Sequence, residues 1–160
     1  MNSLSSIGIL HTVVSLFAIP LGAIAFVRGG RIDVATRVGK LYVVATALGA
    51  LTAFGVIKTP VGFGLAVGTL LALLVGVAAP HLSWLGRARR YTETIALSVS
   101  FFFVLLPGIT ETLTRLPVSQ PLASGLDSPV LRVAHLGLVT GLIAGVAYQV
   151  TRLRVGSRVV

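Results

Sequence analysis

The chain has 160 residues, 55% of them hydrophobic and 11% charged, with a mean hydropathy of +0.98. A soluble domain carries roughly 25% charged residues, so this composition defines an integral membrane protein. The net charge of +9 does not indicate nucleic acid, because the basic residues fall in short clusters between apolar runs, and the absence of cysteine removes disulfides, thiolate metal sites and thiol catalysis.

Five apolar segments approach the ~20 residues that cross a ~30 Å hydrocarbon core. The first covers about 7–27. Its leader "MNSLSS" has no positive n-region, so it reads as a span and not as a signal peptide. The second, about 41–57, is short and is joined by "KTP" to the third, about 61–79, as an antiparallel hairpin. The fourth covers about 94–113 and the fifth about 130–150, with a long connection at about 114–129 whose Pro117, Pro121, Gly125 and Pro129 forbid a continuous helix. A loop of that length is a lid or a partner surface. Pro20 and Pro107 fall inside spans and each removes a backbone donor, so each is expected to bend its helix.

Orientation follows from the connections. Arg28, Arg31, Arg37, Lys40, Arg87, Arg89, Arg90, Arg152, Arg154 and Arg158 fall on one side of five alternating spans, and only Lys58, Arg115 and Arg132 on the other. Positive flanks stay in the cytoplasm, which puts the N-terminus outside and the C-terminus inside. The expected fold is an all-α, five-transmembrane-helix bundle in a single domain, with the lipid bilayer as its first partner.

Small residues mark the faces expected to pack, since close backbone approach carries helix association in lipid. Gly137, Gly141 and Gly145 make such a stripe in the fifth span and Gly64 and Gly68 a shorter one in the third. The stripes fit packing within the chain or against a second copy, with the first preferred.

Intramembrane ionisable residues are the natural site candidates. Glu93 and Glu111, two of only four acids, lie 18 residues or ~27 Å apart along the fourth helix and cannot act as a carboxylate pair. Glu93, beside Arg89 and Arg90 near the helix start, reads as a structural partner of the macrodipole. Glu111 has Arg115 at i+4, an interfacial ion pair on the simplest reading. His11, His135 and Glu111 nevertheless fall at a similar depth near the outer boundary. Together with Arg115 they are expected to frame an outer-leaflet polar pocket under the long loop, His135 being the outlying member. His81, next to Trp84, reads as a headgroup-level residue.

The stretches "LHTVVSLFAIPLGAIAFVRGG", "RVGKLYVVATALGALTAFGV" and "ETLTRLP" resemble a family of small bacterial integral membrane proteins known only as a domain of unknown function. The match falls on His11, Gly22, Arg37, Gly39, Tyr42, Glu111 and Arg115 and covers the first 117 residues. Thr36 stands where the family has a histidine before Arg37, and Arg89 and Arg90 open the fourth helix without one. The resemblance implies a bacterial cytoplasmic-membrane protein and singles out His11 and Glu111 without naming a ligand.

Three functions follow as expectations. The first is a binding or permeation protein using the outer pocket for a small ligand or proton. The second is a redox subunit with His11 and His135 as haem ligands or quinone partners. The third is an accessory subunit of a homo-oligomer or larger membrane complex. An enzyme is the least favoured class, since no metalloprotease, nucleophile or phosphate-loop motif is present.

Overall fold

A computed structural model describes residues 6–156; Arg158, counted above with the inner basic residues, lies outside them. Five α-helices form, and no strand occurs among the described residues: α1 (Ser6–Gly29), α2 (Arg37–Ala53), α3 (Pro60–Ala78), α4 (Arg89–Arg115) and α5 (Pro129–Gly156). Four of them, α1, α3, α4 and α5, are long and apolar enough to cross a membrane. Helix α2 has 17 residues, or ~25 Å, and stops at Ala53 where the sequence suggested a segment to 57. The chain turns there through Gly55, Val56 and Ile57, whose amides are held by Thr52 and Ala53 carbonyls. In the other direction, α4 begins five residues before its expected apolar start, at Arg89.

Local chemistry sets the turns. Gly30, at φ 71°, takes the left-handed conformation that ends α1, and its amide donates to Phe26. Asp33 then organises the tight link to α2: its carboxylate accepts from the Ala35 amide at 2.9 Å and its carbonyl from the Thr36 amide at 3.0 Å. Thr36 caps α2 by accepting from the Gly39 amide at 3.0 Å. A side chain at position 39 would collide with the Asp33 carbonyl, so this turn requires glycine there. At the opposite end Thr59 caps α3 in the same way and Pro60 occupies its first turn.

Neighbouring helices run antiparallel. Near its start α1 meets the end of α2, with Ile7 at Gly55 and Ser15 at Gly49. Leu97 and Phe103 of α4 meet Gly76 and Gly68 of α3 in reversed order, and Phe101 of α4 seats on Gly22 of α1. Small residues here admit large ones from the facing helix, as close packing in lipid requires. The core joins Ala25, Ile32, Tyr42, Leu73 and Leu97, with Phe26 and Phe101 against it at a ring separation of 5.3 Å. The Tyr42 hydroxyl in it lies 2.8 Å from Ser100 Oγ. Large apolar side chains such as Leu16, Phe17, Leu74 and Ile143 point outward from every side, as a bundle solvated by hydrocarbon demands.

The connection after α4 folds back on its own helix. Ala123 is buried and its amide donates to the Leu113 carbonyl at 2.9 Å. Pro20 and Pro107 lie inside α1 and α4 with their rings exposed.

Candidate functional site

The most buried charge is at the basic end of the bundle, labelled inner here after the sequence expectation, with the opposite end labelled outer. Glu93 is 5% exposed. Its Oε2 accepts from Arg31 Nη1 at 3.2 Å and its Oε1 from the Val34 amide at 3.1 Å. Arg31 also binds Asp33 and reaches Thr94 Oγ1 at 3.4 Å. Here α4 grips the α1–α2 link through a satisfied carboxylate, which is the condition for burying one. The sequence reading of Glu93 needs correction: its partner is Arg31, 62 positions earlier, and it lies beyond the first helical turn, where α4 has no acid. A loop arginine folding over the helix end is a tertiary event that i,i+4 spacing does not reveal.

Beside this cluster, Gln149 ties α5 to the bundle. It is 4% exposed, its amide donates to the Gly30 carbonyl at 3.0 Å, and its Oε1 lies 2.9 Å from the Ser98 hydroxyl. Near the outer end His135 Nε2 lies 2.9 Å from Thr110 Oγ1. That hydroxyl directs its proton to the Leu106 carbonyl at 2.8 Å, leaving its oxygen to accept from Nε2–H. Helix α5 is therefore clasped to α4 at two polar points.

Between the clasps the helices part. A groove with a cavity volume of about 390 Å³ opens there, walled on α5 by Gly137, Gly141 and Gly145 and on α4 by Phe101, Phe102 and Leu105, with Phe26 of α1 at its inner end. The glycine stripe was expected to pack, and within this chain it does not: no atom of a neighbouring element comes within 4 Å of where a Cβ would stand on any of the three. The reason lies in α4, whose Leu97, Phe101 and Phe103 seat on glycines of α1 and α3. No comparable side chain is seated on α5. At its inner mouth the groove meets a second, polar recess of about 190 Å³ bordered by Gly30, Arg31, Gln149 and Arg152.

The residues expected to frame an outer pocket have separate partners. His11 Nδ1 lies 3.0 Å from the Gly49 carbonyl and 3.3 Å from Thr52 Oγ1, joining α1 to α2. His135 serves α4–α5, as above. Glu111 and Arg115 pair with each other and both are largely exposed. Among the described residues no hydrogen bond or ion pair links either histidine to Glu111, and no group of three or more metal-binding side chains forms. The groove and its polar mouth escaped the sequence reading, although one signal was available: Gln149 is the only side-chain amide in any predicted span.

Set beside known proteins, the chain matches no family model, no curated protein and no solved structure.

Proposed function

We propose that the chain is a five-span protein of the bacterial cytoplasmic membrane, N-terminus outside and C-terminus inside, that holds the hydrocarbon part of a membrane amphiphile in the α4–α5 groove. The observation carrying this reading is the open apolar groove itself: a ligand-sized cavity lined by glycines and phenylalanines between two helices that are otherwise clasped together. A groove facing hydrocarbon is filled by whatever hydrocarbon fits it.

The antiparallel contacts support five crossings. Although short, α2 reaches from Gly39 beside Asp33 at one end of α1 to Thr52 beside His11 near the other. Modest local thinning of the bilayer accommodates a span of ~25 Å. The clustering of Arg28, Arg37, Arg89 and Arg152 at one end supports the orientation, and the family resemblance supports a bacterial source.

Two measurements test the proposal. Single cysteines replacing Ser83 and Ser124 should be labelled by an impermeant maleimide from the inside and the outside of cells respectively; the reverse pattern overturns the orientation. In native mass spectrometry the wild type should retain lipid after detergent extraction, and Gly141→Leu, which fills the groove, should lose it while the melting temperature changes by only a few degrees. Undiminished lipid retention by the filled variant refutes the groove as a binding site.

A further inference from the structure

We infer that the occupant of the groove is an anionic phospholipid of the cytoplasmic leaflet, with one acyl chain along the glycine stripe and its phosphate on Arg152. This rests on the groove reading above and adds the headgroup, the leaflet and the residue that selects them.

Length argues for a lipid. From Gly137 to Gln149 is 12 residues, so the groove runs ~18 Å along α5, a little over half of a ~30 Å hydrocarbon core. That is one leaflet's depth. A transmembrane helix from a second copy would need a seat across both leaflets, and a helix ~10 Å across fills roughly 400 Å³ in a single turn, the whole of the groove. An acyl chain entering from one surface needs only what is present.

Charge argues for an anionic headgroup. The groove's apolar wall ends at Gln149, and the adjoining recess carries Arg31 and Arg152. Arg31 is committed to Asp33 and Glu93, so the nearby acids are both answered and that guanidinium is not available. Arg152 has no carboxylate partner among the described residues. It lies over the Tyr148 ring at 5.8 Å from the centroid, with Nη1 3.5 Å from the Tyr148 hydroxyl. Gly30 leaves room for it, since a Cβ there would stand 3.1 Å from Arg152 Nη1. A guanidinium held at the mouth of an acyl-sized groove is a phosphate receptor, with fork geometry suited to two phosphate oxygens. Gln149, whose carbonyl and amide already hold Ser98 and Gly30, marks the boundary between the chain and the headgroup.

The test uses the full-length protein in nanodiscs of equal phosphatidylglycerol and phosphatidylcholine, released into native mass spectrometry, with the retained lipids identified by mass. Wild type should retain phosphatidylglycerol over phosphatidylcholine by about fivefold or more, the preference one basic residue gives at a membrane surface. Arg152→Gln should bring the ratio to about one while total retained lipid stays constant, and Arg152→Lys should keep most of the preference. An unchanged ratio in Arg152→Gln overturns the headgroup assignment and leaves the groove reading standing. Retention of both lipids by Gly141→Leu sinks the groove reading itself. A shift from monomer to dimer on removing lipid, abolished by Gly141→Leu, would assign the stripe to a second copy of the chain and overturn the lipid.

Discussion

At the basic end of α4, Glu93 is buried and answered by an arginine from a distant loop and by a backbone amide. At the opposite end of the same helix, Glu111 has 58% of its side chain exposed and is answered by Arg115 one turn on. Both are glutamate–arginine pairs in a chain with only four acids, yet only the first joins separate parts of the fold. The same contrast holds for the two polar clasps of α5: Gln149 is buried and binds two elements, whereas His135 is half-buried and binds one. The bundle is fastened at its basic end and lightly held at the other, and the groove opens toward the fastened end.

The sharpest way to break this comparison is to remove the inner charge. Glu93→Gln leaves Arg31 with Asp33 and Thr94 but removes the buried carboxylate that answers it and the Val34 amide, and should destabilise the protein by about 1.5–3 kcal/mol, the worth of hydrogen bonds to a charged group. Arg31→Met combined with Glu93→Leu should recover part of that loss at most, since the Val34 amide loses its acceptor and Asp33 its arginine. Thermal or denaturant unfolding in detergent reads both. A loss below about 1 kcal/mol for Glu93→Gln would make the two ends of α4 equivalent.

Why one end was legible and the other was not follows from where the partners lie. Helix number, their approximate places, the KTP hairpin and the Glu111–Arg115 pair all depend on residues close in sequence, and each was readable from hydropathy, proline or i,i+4 spacing. Glu93 with Arg31, Gln149 with Gly30 and Tyr42 with Ser100 join residues 58 to 119 positions apart. Their existence depends on which faces meet, and no local pattern states that. The glycine stripe of α5 shows the same limit from the other side. Its spacing recurs at Gly64 and Gly68, where Gly68 meets Phe103 and Gly64 meets nothing within 4 Å, so the spacing alone does not decide which glycines are packed and the position of α4's bulky side chains does.

The two clasps give the intermediate test. Gln149→Leu leaves the half-buried Gly30 carbonyl without its donor and should cost about 1–2 kcal/mol. His135→Leu leaves Thr110 still bonded to Leu106, so its cost should fall below about 1 kcal/mol. Hydrogen exchange should separate them as well: Gln149→Leu should speed exchange of amides in the inner half of α5, while His135→Leu should act only near its outer end. Equal effects would mean that α5 is held uniformly and that the groove is not bounded by unequal clasps.

The smallest expected effects belong to the outer end, and they decide whether His11 and Glu111 form a pocket after all. Glu111→Gln removes an exposed i,i+4 pair and should change stability by no more than about 0.5 kcal/mol. His11→Ala breaks the link from α1 to the Gly49 carbonyl, a half-buried hydrogen bond of about 1 kcal/mol. The Thr52 hydroxyl, 2.8 Å from the Leu48 carbonyl, is also 3.1 Å from that carbonyl and can turn its proton to it, so the loss should stay near that figure. Because the two side chains have different partners on different helices, the double mutant should equal the sum of the singles within about 0.5 kcal/mol. A coupling energy above 1 kcal/mol, in stability or in lipid retention, would bring His11 and Glu111 back into one site and restore the outer pocket as the rival of the groove.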